Sequence, residues 1–220
     1  MSLVRTGPLE LVTFDGDVTL YHDGASLTAD NPVIERIIRL LSQGTRVGIV
    51  TAAGYTDASK YYGRLCGLLE AVKSAIERSL LFKPVLIVLG GESNYLFTFD
   101  ASSKYLLRFV PRKTWMLDVM KHWTEPDVNA LLDVAEGALQ ECIDTLGLSA
   151  EILRKERAVG IIPSAQPNSR KFTREQLEET VLVTQQIVEM SPVARNIPFC
   201  AFNGKRFGFS AQILAEHPGE

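Results

Sequence analysis

The sequence has little cysteine, and its three cysteines, Cys66, Cys142 and Cys200, stand far apart. They include no Cys-x-x-Cys pair, and their number is odd, so the sequence gives no sign of a disulfide framework. Separate cysteines of this kind are typical of small buried apolar side chains in a reducing compartment.

Long apolar runs are also missing. No run reaches the roughly 18 residues that suggest a membrane-spanning helix, and the longest, Val85–Leu89, directly follows the Lys83-Pro84 break. The first residues, MSLVRTGPLE, lack the apolar stretch of a secretory signal. We therefore expect a cytoplasmic protein that does not associate with membranes.

An excess of basic residues is the third absence. The chain has 23 Lys and Arg against 26 Asp and Glu, which gives a net charge of −3. This balance argues against a general nucleic-acid-binding protein but leaves small anionic ligands open, since they need only a local pocket. The 220 residues, 46% of them hydrophobic, predict one or two globular domains.

The first hundred residues alternate apolar strand patterns with amphipathic helix patterns. The predicted strands are Leu9–Phe14, Val47–Val50 and Pro84–Leu89, and a hairpin is predicted from Tyr95–Phe99 and Tyr105–Phe109. Strands and helices in this order predict an α/β protein with a parallel sheet.

The pattern changes further along the chain. Thr124–Leu146 predicts a long amphipathic helix, and Thr173 opens another with a capping box. We therefore expect a core in residues 1–109, an inserted α+β cap in residues 110–198, and a return to the core with a divergent tail in residues 199–220.

Two carboxylates, Asp15 and Asp17, directly follow the first predicted strand in the sequence FDGDVT. Ligands of open α/β sheets bind at the carboxyl ends of the strands, and Gly16 allows the turn that would bring both side chains together. Two hard oxygen ligands suit Mg²⁺, and an Asp can also act as a nucleophile with a second Asp as acid and base. The alternative is that both residues only cap a turn.

Thr51 likewise ends the second predicted strand, in VGIVTAAGY. A hydroxyl in this place can bind a phosphoryl oxygen without adding charge, although a Thr at a strand end can also simply cap the next turn.

These residues carry a resemblance to a known family. Asp15, Asp17 and Thr51 in this order resemble the first half of a haloacid dehalogenase-like phosphotransferase, a fold with a parallel-sheet Rossmannoid core and an inserted cap. More closely, the blocks LVTFDGDVTLYHDG, VGIVTAAGY and LGGESNYLF are similar to the inosine monophosphate (IMP)-specific 5′-nucleotidases of fungi and apicomplexan parasites.

The resemblance implies a Mg²⁺-dependent enzyme of purine salvage that hydrolyses IMP to inosine and phosphate through an aspartyl-phosphate. It implies that Asp15 is the nucleophile and a metal ligand. Asp17 would be the acid and base, and a second metal ligand through its backbone carbonyl. Asp23 would contact the nucleotide, and Asp17 and Thr51 would also bind the substrate.

The sequence departs from the family near its end. The family's catalytic lysine and last acidic motif follow the position of Asn203-Gly204, where this chain reads KRFGFSAQILAEHPGE. We therefore expect a chain truncated or altered after Gly204. Two alternatives to the nucleotidase remain: a sugar-phosphate phosphatase or mutase of the same superfamily, and a catalytically dead remnant that binds nucleotide. The oligomeric state stays open, a homo-oligomer included.

Overall fold

The protein divides into two compact units, Met1–Trp115 and Met116–Glu220. The computed structural model describes residues 9–22, 25–91, 94–164, 172–195, 197–203 and 209–212.

The first unit is built on a five-stranded sheet whose strands follow each other in chain order. Neighbouring strands β1, β2 and β3 are parallel, whereas β4 and β5 extend the sheet as an antiparallel hairpin. The strands are β1 (Leu11–Asp15), β2 (Arg46–Thr51), β3 (Leu86–Gly90), β4 (Tyr95–Phe99) and β5 (Leu107–Val110). The predicted α/β class is confirmed, and so is the hairpin.

Two helices connect the parallel strands, α1 (Val33–Ser42) and α2 (Ala58–Glu77). They contact each other, which places them on the same face of the sheet. This arrangement follows from the strand order, because two right-handed crossovers that step in one direction put both helices on one side. Helix α2 extends over 20 residues, since Val72 and Ala75 continue its buried stripe to the last turns.

The core of the first unit lies between these helices and the sheet. Along β3 and β4, buried residues such as Val88 and Phe97 alternate with half-buried ones, as the two-residue period of a strand requires. Ile37 of α1 and Leu68 of α2 are fully buried against this face. The apolar faces therefore hold the strands in register and fix where their carboxyl ends lie.

The second unit is a four-stranded antiparallel sheet in the order β6-β7-β9-β8, packed against two long helices. Its strands are β6 (Ala150–Arg154), β7 (Ala158–Pro163), β8 (Cys200–Asn203) and β9 (Phe209–Gln212), and its helices are α3 (Glu125–Leu146) and α4 (Arg174–Met190). Within the ranges that the structure describes, no helix is long and apolar enough to cross a membrane.

Local signals define the helices of the second unit. The Thr124 side chain caps α3, Gly147 ends it in the left-handed conformation, and Thr173 with Gln176 forms the predicted capping box of α4. Along the chain between β5 and α3, two short 3₁₀ helices cover Arg112–Thr114 and Asp118–His122.

The predicted return to the core at residue 199 does not match the structure. Strand β8 pairs antiparallel with β9, and β9 with β7, so this segment completes the second sheet. The reason is physical: FCAF is an apolar run that suits a strand in either sheet, and only hydrogen bonds to distant segments decide between them. Nothing in the local pattern distinguishes the two pairings.

Candidate active site

The carboxyl ends of β1 and β2 lie side by side, and each delivers one of the predicted residues. Asp15 is the last residue of β1 and is paired with Val50, so Thr51 lies one position beyond it on β2. The Gly16 amide continues the pairing by donating to the Val50 carbonyl at 2.8 Å. The sheet itself therefore fixes the separation of the two loops.

The turn after Asp15 closes on itself within six residues. The Gly16 carbonyl accepts from the Leu20 amide at 3.0 Å, and the Val18 amide donates to the Tyr21 carbonyl at 2.7 Å. Val18 takes a φ of 69° in this turn, a conformation that costs a β-branched residue energy. The surrounding hydrogen bonds hold Val18 in this conformation and carry Asp17 towards β2.

Asp17 and Thr51 are in direct contact. The Thr51 hydroxyl donates to Asp17 Oδ2 at 2.9 Å and accepts from the Ala53 amide at 3.1 Å. Thr51 is only 3% exposed, so this hydroxyl is shielded from water that would otherwise compete for Asp17. Sequence reasoning placed both residues at one sheet edge, and the structure adds that they bond to each other.

Asp15 is exposed at the end of its strand. One of its oxygens, Oδ2, accepts a hydrogen bond from the Thr19 hydroxyl at 3.1 Å. Thr19 is the threonine of the FDGDVT sequence, and sequence reasoning assigned no role to it. The contact orients one oxygen of Asp15 and leaves the other open to solvent or to a ligand.

Tyr21 is a site residue that sequence reasoning missed. Burial raises the pKa of Tyr21 to about 12, the Asp17 carboxylate adds to the rise, and a hydrogen bond with Thr51 opposes it. A Cβ at Gly16 would meet the Tyr21 hydroxyl at 2.6 Å. Gly16 is therefore needed for close packing as well as for the turn. No spacing rule marks Tyr21, because it reaches the site only through the closed turn.

The two carboxylates have no positive partner among the described residues: every ion pair found there joins other side chains. Asp23, the predicted nucleotide contact, lies outside the described residues. Two adjacent carboxylates without a counter-charge, each with one oxygen free of hydrogen bonds in this part of the chain, suit a hard cation. The described residues include no third His, Cys, Asp or Glu grouped with them.

Comparison with known proteins decides the family. The sequence profile described as "IMP-specific 5′-nucleotidase" matches residues 1–209. The chain belongs to this family. IMP-specific 5′-nucleotidase 1 of Emericella nidulans is 55% identical to it over 218 residues, which are 99% of this chain and 48% of that protein. The protein of the same name from Schizosaccharomyces pombe is 48% identical over 198 residues, which are 89% of this chain and 47% of the relative.

Solved structures of an IMP-nucleotidase agree with the fold. The IMP-bound, N-terminally truncated IMP-nucleotidase of Plasmodium falciparum superimposes with a TM-score of 0.77 at 33% identity, over 94% of this chain and 52% of that chain. The ATP-bound form of that nucleotidase superimposes with a TM-score of 0.74. The present chain spans about half the length of the family members that it matches.

Proposed function

We propose that this protein is a Mg²⁺-dependent 5′-nucleotidase that hydrolyses IMP to inosine and phosphate. The observation that carries the proposal is the Asp15, Asp17 and Thr51 arrangement at adjacent strand ends, in a chain of the IMP-specific 5′-nucleotidase family. Structures of a family member bound to IMP support the choice of substrate.

In the proposed first step, a carboxylate oxygen of Asp15 attacks the phosphorus of IMP. The bond between phosphorus and the 5′-oxygen breaks, and that oxygen takes a proton from Asp17 as inosine leaves. The exposure of Asp15 supports this assignment, since a nucleophile must be reachable by the phosphate. The Thr19 hydroxyl donates to Oδ2 of the same carboxylate, which leaves Oδ1 for the attack.

In the second step, Asp17 takes a proton from water, and the resulting hydroxide attacks the phosphorus of the aspartyl-phosphate. The bond from phosphorus to the Asp15 oxygen breaks, which releases phosphate and restores the carboxylate. The hydrogen bond from Thr51 keeps one oxygen of Asp17 fixed and leaves the other for the proton. Substrate binding by the Thr51 hydroxyl itself remains a prediction.

Mg²⁺ would be held by the Asp15 carboxylate and the Asp17 backbone carbonyl, with water and phosphate oxygens completing its ligands, as is usual for this cation. Bound there, it would supply positive charge against the phosphoryl oxygens. Asp23 as a nucleotide contact, a cytoplasmic location and a homo-oligomeric assembly remain predictions.

Phosphate release by this chain from a panel of monophosphates, with and without Mg²⁺, tests the proposal. We expect release from IMP with Mg²⁺, and its loss in Asp15→Asn. Asp30→Asn changes an exposed turn carboxylate of the same unit and should leave the rate unchanged. Full activity of Asp15→Asn would contradict the covalent mechanism. Preference for hexose phosphates would favour the sugar-phosphate phosphatase, and binding of IMP without turnover would favour the inactive remnant.

A further inference from the structure

A buried tyrosine lies beneath the loop that follows β2. Tyr61, in the first turn of α2, is 1% exposed. Its hydroxyl donates to the Ala53 carbonyl at 2.8 Å and accepts from the Tyr55 amide at 2.9 Å. One side chain therefore satisfies two backbone groups of the same loop, in a place that water does not reach.

The loop residue Ala53 connects this tyrosine to the site. Its carbonyl accepts from Tyr61, and its amide donates to the Thr51 hydroxyl at 3.1 Å. That hydroxyl in turn donates to Asp17 Oδ2 at 2.9 Å. A continuous series of hydrogen bonds thus runs from Tyr61 through the Ala53 backbone and Thr51 to Asp17.

Close packing around the Tyr61 ring holds it in place. A Cβ at Gly90 would overlap the Tyr61 hydroxyl, and Gly90 is paired with Thr51 across β2 and β3. The ring packs against Phe97 at a centroid distance of 4.9 Å and against Tyr55 at 5.5 Å. The hydroxyl is therefore held by packing, and the absence of a side chain at Gly90 makes room for it.

The hydroxyl also keeps its proton. Burial raises the pKa of Tyr61 to about 12, so Tyr61 stays a hydrogen-bond donor throughout the neutral and mildly alkaline range. The Ala53 carbonyl accepts a second hydrogen bond from the Gly91 amide at 3.0 Å, which ties the loops after β2 and β3 together at the same atom.

We propose that Tyr61 is a positioning residue for phosphoryl transfer: by holding Ala53, it orients the Thr51 hydroxyl on Asp17. This inference rests on the proposed function, because Asp17 must act on the substrate for its orientation to matter. The Tyr61 hydroxyl bonds to the backbone of Ala53 and Tyr55 and not to Asp17, so Tyr61 acts only through the backbone of Ala53 and the hydroxyl of Thr51.

The first test is Tyr61→Phe, which removes the hydroxyl and keeps the ring. We expect kcat for phosphate release to fall about tenfold, within the roughly 100-fold cost of a 1 Å misplacement of reacting groups. KM should change less than about twofold, because Tyr61 does not contact the substrate. Tyr62→Phe is the matched control, since its hydroxyl donates to the Glu70 carboxylate at an exposed position of the same helix. It should leave both constants unchanged.

The second test separates positioning from general stability. Thr51→Val keeps the shape of Thr51 but breaks the series of hydrogen bonds at its other end. If Tyr61 acts through Thr51, the double variant Tyr61→Phe with Thr51→Val has the same kcat as Thr51→Val alone. If the two residues act independently, their effects on kcat multiply. Multiplying effects on kcat would overturn the proposal.

Amide hydrogen exchange gives a readout that needs no activity. In the wild-type chain the Ala53 and Tyr55 amides should be protected, although both lie in a loop, and Tyr61→Phe should speed the exchange of the Tyr55 amide at least about tenfold. Unprotected amides in the wild type would overturn the inference even if Tyr61→Phe failed to fold. If the wild type released no phosphate from any substrate, the proposed function would fail, and the exchange rates alone would decide whether Tyr61 holds the loop.

Discussion

The two units of the protein differ in their non-glycine residues with positive φ and in their tyrosines. All four non-glycine residues with positive φ in the described chain, Val18, Ser79, Lys83 and Leu106, belong to the first unit. In the second unit, the described residue with positive φ is Gly147, which ends a helix where glycine is the common choice. All six tyrosines of the sequence also fall in the first unit.

This difference indicates where residues adopt unfavourable backbone conformations so that side chains are placed precisely. Strained residues are retained where the surrounding contacts impose them, and these places are often functional. In the first unit Val18 and two buried tyrosines surround the ends of β1 and β2. The second unit follows its local signals, with caps at Thr124 and Thr173 and ordinary apolar packing between α3, α4 and the sheet.

The largest expected effect is the pH dependence of stability in the first unit. The pKa of Tyr21 and of Tyr61 is raised from 10.0 to about 12 by burial in the folded chain. Between pH 10 and 12 the unfolded chain loses these protons and the folded chain keeps them, so stability falls as pH rises. The loss approaches about 2 to 3 kcal/mol per group at pH 12 and is absent below pH 10.

Urea unfolding at pH 8 and pH 11.5 measures this loss. The double variant Tyr21→Phe with Tyr61→Phe should lose less stability between the two pH values than the wild type. The comparison uses the change with pH and not the stability at one pH, because each variant also loses a hydrogen bond. An equal loss in both proteins would mean that the second unit or other groups govern alkaline unfolding.

The next effect concerns Gly16. In Gly16→Ala the new methyl group would lie 2.6 Å from the Tyr21 hydroxyl and 3.5 Å from Thr51 Cβ, so the closed turn must shift. We expect phosphate release from IMP to fall about 100-fold, as for a displacement of about 1 Å between reacting groups. Gly63→Ala is a suitable control, because a Cβ there meets no atom within 4 Å. Steady-state kinetics of both variants provide the measurement.

Replacement of glycine by alanine should change stability in opposite directions in α2 of the first unit and α3 of the second. A Cβ at Gly67 in α2 would lie 2.5 Å from the Leu27 carbonyl oxygen and 2.6 Å from the Ala29 amide, both of them backbone atoms. We expect Gly67→Ala to destabilise the fold by about 1 to 3 kcal/mol. Gly137 of α3 meets nothing within 4 Å, so Gly137→Ala should stabilise it by about 0.5 to 1 kcal/mol. Denaturant midpoints test both signs, and equal effects would contradict the contrast.

The smallest effect is expected at Val18. Replacing this exposed residue with glycine removes the strain of its positive φ, and we expect a gain of about 1 kcal/mol in the free energy of unfolding. Phosphate release should fall several-fold, because the turn that carries Asp17 becomes less rigid. Val85→Gly is the matched control: this valine is also exposed but does not have a positive φ, so glycine there should destabilise the protein. Thermal unfolding of the two variants measures the difference.

The sequence predicts those features that depend on local chemistry. The capping box at Thr173 and the polar residues at the ends of the first two strands are read directly from residue types and their spacing. The approach of Asp17 and Thr51 follows from their places at one edge of a parallel sheet, and the structure adds the hydrogen bond between them. These predictions work because neighbouring strand ends must lie close together whatever the rest of the chain does.

The features that the sequence does not predict depend on distant partners. Strand β8 joins the second sheet because of its pairing with β9, which its own apolar run cannot indicate. Tyr21 and Tyr61 look like ordinary core aromatics in the sequence, and their hydroxyl contacts exist only once the turn and α2 are in place. Strand β6 (Ala150–Arg154) is also not predicted, since its residues are partly polar and follow soon after the end of α3.

The main chain of Ala53 has a structural role that alanine scanning cannot detect. Its side chain is a single methyl group, while its amide and carbonyl link Thr51 to Tyr61. An alanine scan passes over this residue because it is already alanine, and its hydrogen bonds with Thr51 and Tyr61 come from the main chain. Replacement of the Ala53 amide by an ester would remove the hydrogen-bond donor to Thr51 and would reveal a requirement that belongs to the main chain alone.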